Sequence, residues 1–186
     1  MLLQMRAASF AQGSRVIVQP QTLSLAEHER LALGCAGDLA ASALAMMASG
    51  VVKASTGHVF VGAFDPRIQP VQAKRLATLV PYAPLTLDFP SFERYIEYRA
   101  ALWGLPFDES VVRARRIVEQ LDGVHEAFAY PLAGALITQP RLLVLDRPQI
   151  AYGARIAAVA KHCAVFSTHA SVAHAEEFNL VTGAHV

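Results

Sequence analysis

The sequence predicts an α/β domain built on a parallel sheet, and three observations carry that prediction. Residues 141–146 read RLLVLD, the uninterrupted Leu/Val run of a strand buried on both faces. Residues 163–167 read CAVFS and repeat the pattern after a helix-compatible stretch over 150–161, so strand, helix and strand follow one another. Residues 30–33, a loop over 34–37 and an apolar, Ala-rich helix over 39–47 give a further strand–loop–helix unit.

The other elements follow in order. The first third reads as short β-rich runs at 15–18, 22–25 and 30–33, with His28 and Glu29 at a turn. Gly50 suits the C-cap of the helix over 39–47. Thr56 and Gly57 signal a turn before a strand over 58–61, and a short helix covers 72–77. Pro81, Pro84 and Pro90 keep the next stretch extended. A helix over 91–102 starts with Ser91 at its N-cap and Glu93 in its first turn. An amphipathic helix over 109–121 turns Arg113, Arg115 and Arg116 to solvent, and a third covers 127–137. A helix over 171–177 and a strand over 179–181 close the pattern. No internal repeat stands out.

Composition bounds the function. The 186 residues carry 16 Lys+Arg against 15 Asp+Glu, a net charge of +1, so no basic face for nucleic acid is expected. With 54% hydrophobic and 17% charged side chains, disorder is excluded as the main state. A chain this apolar is expected to cover part of its surface with a partner. The uncharged runs at 39–52 and 127–139 are too short to span a bilayer, and the start MLLQMRAAS lacks the apolar stretch of a secretory signal. Cys35 and Cys163 make no disulfide framework, which favours a reducing cytosol.

Five segments, in order, resemble the nucleotide-binding domain of ABC transporters, in its exporter-type form. LSLAEHERLALGCAGDLAAS is similar to the strand–loop–helix around the Walker A loop, and ASTGHVFVGAFDP to the stretch that follows it. FPSFERYIEYRAALWGLP resembles the start of the helical lobe, ITQPRLLVLDRP the Walker B strand, and AVFSTHASVAHAEEF the switch-histidine segment. The resemblance implies a P-loop NTPase-like ABC ATPase fold with an N-terminal antiparallel β region and a shortened helical lobe. It implies one domain over 1–186, with an α/β core and β subdomain at 1–81 and 138–186 and the lobe at 82–137.

The chemistry of that family is mostly missing. A P-loop reads G-x-x-x-x-G-K-[ST], because backbone N–H groups wrap phosphate, the Lys reaches the outer phosphates and the hydroxyl holds Mg²⁺. The matching window is Gly34, Cys35, Ala36, Gly37, Asp38, Leu39, Ala40 and Ala41. Gly34 stands; Leu39 replaces the second glycine, Ala40 the lysine and Ala41 the hydroxyl, with Ser42 next to it. Losing the lysine alone removes a charge-assisted contact of roughly 1.5–3 kcal/mol. Asp38 places a carboxylate in the helix field that would attract phosphate, and is expected to cap the helix with its own oxygens.

Asp146 matches the Walker B aspartate, but Arg147 stands where the family has its catalytic Glu, and an arginine cannot accept a proton from water. Arg147 is expected to pair with a carboxylate. His169 matches the switch histidine, and both it and Asp146 are expected to be vestigial, His169 as a hydrogen-bonded core side chain. The segment nearest the LSGGQ signature is Leu121, Asp122, Gly123, Val124 and His125; the adenine-stacking position falls on Gln12, near Phe10, and the Q-loop glutamine on Tyr82. His162, Cys163, His169, His174 and His185 crowd the last quarter without a metal-ligand spacing, so no metal site is expected.

The resemblance also implies a docking groove for a membrane subunit at the Q-loop and lobe, where Tyr82, Phe89, Phe92, Tyr95, Tyr98 and Trp103 are candidate partner contacts. A lobe core is the competing role for some of them. The expected function is a non-catalytic, structural or regulatory subunit of an ABC transporter-type complex, with ATP and Mg²⁺ bound weakly or not at all. Its partners would be the membrane subunit, an active ATPase subunit or both, or a second copy, in the cytoplasm at the inner face of the membrane. The alternatives are a divergent ATPase whose catalytic groups are relocated or supplied by a partner, and a module that has re-used the cleft for another small ligand.

Overall fold

The computed structural model describes residues 1–82 and 89–183; the expectations for Pro84 and His185 lie outside the described residues. Two long strands, β1 (Leu3–Gln12) and β2 (Arg15–Leu25), form a hairpin, followed by β3 (Arg30–Gly34) and helix α1 (Asp38–Ala48). Then come β4 (Thr56–Val61), α2 (Pro70–Leu76) and β5 (Ala77–Val80). The lobe holds α3 (Phe92–Trp103), α4 (Phe107–Gln120) and α5 (Glu126–Leu136). The chain continues with β6 (Leu142–Asp146), a 3₁₀ turn (Ile150–Tyr152), α6 (Gly153–Val159), β7 (Ala164–His169) and α7 (Val172–Thr182).

The strands make an antiparallel sheet ordered β2-β1-β4 and a parallel sheet ordered β3-β7-β6-β5. Helix α1 packs between the two sheets, buried along most of its length. Ala41, Ala43, Ala45 and Ala48 let both sheets approach it, and Leu44 and Met47 fill the space between. On the other face of the parallel sheet, Leu143, Leu145 and Val165 pack against α5, α6 and α7. Each such fully buried aliphatic side chain is worth about 1.5–3 kcal/mol. Helix α5 ties the lobe to this layer: Leu132, Ala135 and Leu136 face the sheet, while Ala133 and Ile137 join Tyr95, Ile96, Val111 and Ala114 in the lobe core.

Several sequence expectations change. Strand β1 was not anticipated, because Ala7, with φ +48°, bulges out and shifts the buried phase from Leu3 and Met5 to Ala8. The runs at 15–18 and 22–25 are one strand; Pro20 is tolerated there because β2 is an edge strand. Thr56 and Gly57 are not a turn but the start of β4: a Cβ on Gly57 would lie 2.1 Å from the Ala7 carbonyl oxygen, so the bulge of β1 requires glycine opposite it. The stretch 179–181 is helical, and Ala175, Phe178, Asn179 and Thr182 form the buried stripe of α7. Ala77 begins β5 instead of ending α2. Ser91 caps α3 as expected, accepting the Arg94 N–H at 3.3 Å. Arg113 is only partly solvent-facing and donates to the Ile137 carbonyl at 3.1 Å.

Candidate functional site

The carboxyl ends of β3, β6 and β7 and the first turn of α1 meet at one edge of the parallel sheet, the place where open α/β sheets hold their ligands. Asp146 ends β6 and is buried. Its Oδ2 accepts from the Ser42 hydroxyl at 2.6 Å and its Oδ1 from Arg147 Nε at 3.0 Å. The Arg147 guanidinium also donates through Nη2 to Ser42 Oγ at 2.9 Å and pairs through Nη1 with Asp38 Oδ1 at 2.9 Å. Its flat face lies over the Tyr82 ring, 3.9 Å from the centroid. Arg147 therefore pairs with a carboxylate as expected, and with two.

The backbone at Arg147 is unusual: φ is +51°, a left-handed value that costs a non-glycine residue about 1–2 kcal/mol. Its N–H donates to the Thr168 carbonyl at 2.9 Å, which extends the β6–β7 pairing past Asp146. Burial works to lower the Arg147 pKa, but the bonds to Asp146 and Asp38 outweigh it and raise the value further. The side chain stays a cation.

The loop before α1 is pinned to β7. Cys35 N–H donates to the His169 carbonyl at 2.8 Å and Gly37 N–H to the Ala170 carbonyl at 3.2 Å. A Cβ on Gly34 would lie 2.4 Å from Val172 Cα, so this glycine is needed where β3 ends against the start of α7. The expected capping role of Asp38 is corrected: Gly37, at φ +93°, is the N-cap residue, α1 has no side-chain cap bond, and Asp38 turns outward to Arg147. Ala40 and Ala41 are buried in α1, while Leu39 is 54% exposed. Ser42 follows the motif window directly. It lies four residues after Asp38 and so on the same helix face, a spacing that could have marked it as the Asp146 partner.

His169 is buried at the end of β7, with Nε2 3.2 Å from Ser167 Oγ and its ring 4.9 Å from Phe178. Burial, with a smaller contribution from His174, pulls its pKa down to about 4, so it is neutral at pH 7. It borders a cleft with Asp38, Tyr82, Arg147, Gln149 and His174. A second cleft on the lobe side of Arg147 is lined by Tyr82, His125, Phe128, Gln149 and Tyr152. His162 and Cys163 precede β7 while His169 ends it, about 20 Å away along an extended strand. Among the described residues, no three His, Cys, Asp or Glu side chains gather around a metal-sized space.

Leu121–His125 leads into α5, where His125 Nδ1 accepts the Ala127 N–H at 3.1 Å. Gln12 lies exposed at the β1–β2 hairpin, and Phe10 packs partly buried against the core below α1. The aromatic set divides. Tyr95 is 4% exposed in the lobe core, where it offers no surface, so its place among the partner contacts is corrected. Phe89 and Phe92 pack partly on that core, Phe92 with its ring 4.4 Å from that of Tyr130. Tyr82 and Tyr98 are exposed, and Trp103 is half-buried. Among the described residues no helix is long and apolar enough to cross a membrane.

No family model matches the sequence. The fold is nonetheless that of ABC transporter ATP-binding subunits. The chain is similar to the structure of an ATP-binding subunit of an ABC transporter, with 18% identity, coverage of 91% of this chain and 80% of that one, and a TM-score of 0.73. It is similar to cbiO1 from Clostridium perfringens, part of the ABC transporter complex cbiONQ, at 16% identity, 90% and 78% coverage and a TM-score of 0.69. It is also similar to the ATP-binding cassette MJ0796, solved as a dimer in a post-hydrolysis state bound to ADP and Pi, at 13% identity, 94% and 90% coverage and a TM-score of 0.74. Identities this low establish the shared fold alone: the ABC ATPase fold, with an antiparallel β region at its N-terminal side and a shortened helical lobe.

Proposed function

We propose that this chain is a non-catalytic ABC-ATPase-like subunit that acts through protein contacts in a transporter-type complex. The observation that supports it most is the Arg147 side chain, bound to Asp38, Ser42 and Asp146 at the helix end where nucleotide phosphates would have to sit. Arg147 also stands at the position of the family's catalytic carboxylate, so the cleft holds no base to activate water there.

Charge supports the same reading. Asp38 and Asp146 set two carboxylates against one guanidinium, leaving the rim of α1 negative. Phosphate binding at a helix N-terminus needs the opposite. The P-loop window is degenerate on this reading, with Ala40 and Ala41 in place of the lysine and the hydroxyl. ATP and Mg²⁺ are weak or absent ligands, and Asp146 and His169 are vestigial.

The partner is a membrane subunit, an active ATPase subunit or both, met through the exposed members of the aromatic set, Tyr82 and Tyr98, with Trp103. One of the similar structures is itself part of an ABC transporter complex. The chain works as one domain, with its lobe over 82–137, on the cytoplasmic face of a membrane. Sedimentation of the purified chain with and without MgATP tests the reading. The expected result is one sedimentation coefficient under both conditions and no phosphate release. A dimer that forms only with MgATP, or hydrolysis abolished by His169→Ala, would overturn it.

A further inference from the structure

We infer that Arg147 is a built-in cation that fastens the first turn of α1 to the end of β6, so that this cleft is assembled without any bound ion. The inference rests on the reading of the cleft given above and says what the residue does there. All three guanidinium nitrogens are engaged: Nε with Asp146, Nη2 with Ser42 and Nη1 with Asp38. The remaining Asp146 oxygen takes the Ser42 hydroxyl, which closes the network. The face of the fork rests on Tyr82, two residues past the end of β5, so β5, β6 and α1 all meet at this one side chain.

The backbone points the same way. A left-handed φ of +51° at a non-glycine residue persists only where the surroundings hold it, and here it aims the side chain back across Asp146 towards α1. Without the guanidinium, the buried Asp146 carboxylate would keep only the Ser42 hydroxyl, and Asp38 would lose its cation. A planar fork satisfies three acceptors and stacks on an aromatic ring at once; a lysine ammonium can do only part of this.

The test is thermal and uses no nucleotide. Arg147→Ala is expected to lower the Tm of the full chain by roughly 5–10 °C. Millimolar methylguanidinium, which offers the same fork, is expected to restore part of that loss, while equal sodium chloride does not, and the wild type responds to neither. A Tm equal to wild type, or equal responses to methylguanidinium and sodium chloride, would overturn the inference. Should Arg147→Ala not fold, Arg147→Lys decides: a lowered Tm supports the fork, and an unchanged Tm overturns it. A wild type that bound MgATP would sink the functional reading and leave this thermal test to be decided separately.

Discussion

Arg147 and Asp38 meet at 2.9 Å across the mouth of the cleft, one at the end of β6 and the other in the first turn of α1. The pair is asymmetric. The Arg147 side chain is 15% exposed and that of Asp38 is 74% exposed, whereas Asp146, on the other side of the same guanidinium, is 8% exposed. Exposed ion pairs contribute about 0–1 kcal/mol. Removing one partner from a buried, hydrogen-bonded pair costs several times more, because the other charge is left without a partner.

Asp38→Asn is therefore expected to cost less than about 1 kcal/mol. Asp146→Asn, which strips the buried carboxylate from both Ser42 and Arg147, should cost about 2–4 kcal/mol. Urea denaturation of the two variants checks the order, and equal losses would contradict it.

The left-handed backbone at Arg147 predicts a difference between two truncations that both remove the guanidinium. Arg147→Gly relieves the strain of φ +51° and Arg147→Ala does not. The glycine variant is expected to be the more stable by about 0.5–1 kcal/mol, the reverse of the usual order at exposed sites. Paired denaturation curves read the difference directly.

Gly34 is held by packing. An alanine Cβ there would sit 2.4 Å from Val172 Cα and 2.6 Å from its nitrogen, both backbone atoms. Gly34→Ala must push the start of α7 off the end of β3, at a cost of about 1–3 kcal/mol or more. Hydrogen exchange should show the loss first in the initial turn of α7. An unperturbed α7 would mean that the glycine serves something other than this contact.

His169 gives the domain a defined acid sensitivity. Its pKa is about 4 in the fold against 6.5 in the unfolded chain, first because of burial. Between those values the unfolded state holds more protons than the native state, so stability falls as pH falls from 6.5 towards 4. The full loss is about 3 kcal/mol. Asp65 works at a lower pH. Hydrogen bonds from the Arg67 side chain hold its pKa at about 2 against 3.8, so its contribution is present above 3.8 and lost as pH falls through 2. Replacing His169 by Gln should flatten the dependence of unfolding free energy on pH between 6.5 and 4 and leave the lower branch in place.

The parallel sheet was legible because β6 up to Asp146 and the first half of β7, Ala164 to Phe166, are apolar runs of the kind that burial on both faces produces. Strand β1 was hidden by one inserted residue: the bulge at Ala7 breaks the alternation that would have marked it, and its partner Gly57 then reads as a turn. The run 179–181 carries strand-like residues, but Phe178 in the core and the Asn179 side chain, hydrogen-bonded to the Ala32 backbone, fit a helical period there. In the cleft, a carboxylate partner for Arg147 could be anticipated from charge alone. That the partners are Asp38 and Asp146 together, with Ser42 bonded to both Asp146 and the guanidinium and Tyr82 stacked on it, depends on chain segments that only the folded sheet brings together.

We propose that this ABC ATPase fold holds its cleft with its own side chains and does not bind nucleotide. Calorimetric titration of the purified chain with MgATP, carried to millimolar concentration, tests it most directly. The account predicts no saturable heat. A saturable isotherm would contradict it, because the phosphates would then be held by groups other than the Arg147 network.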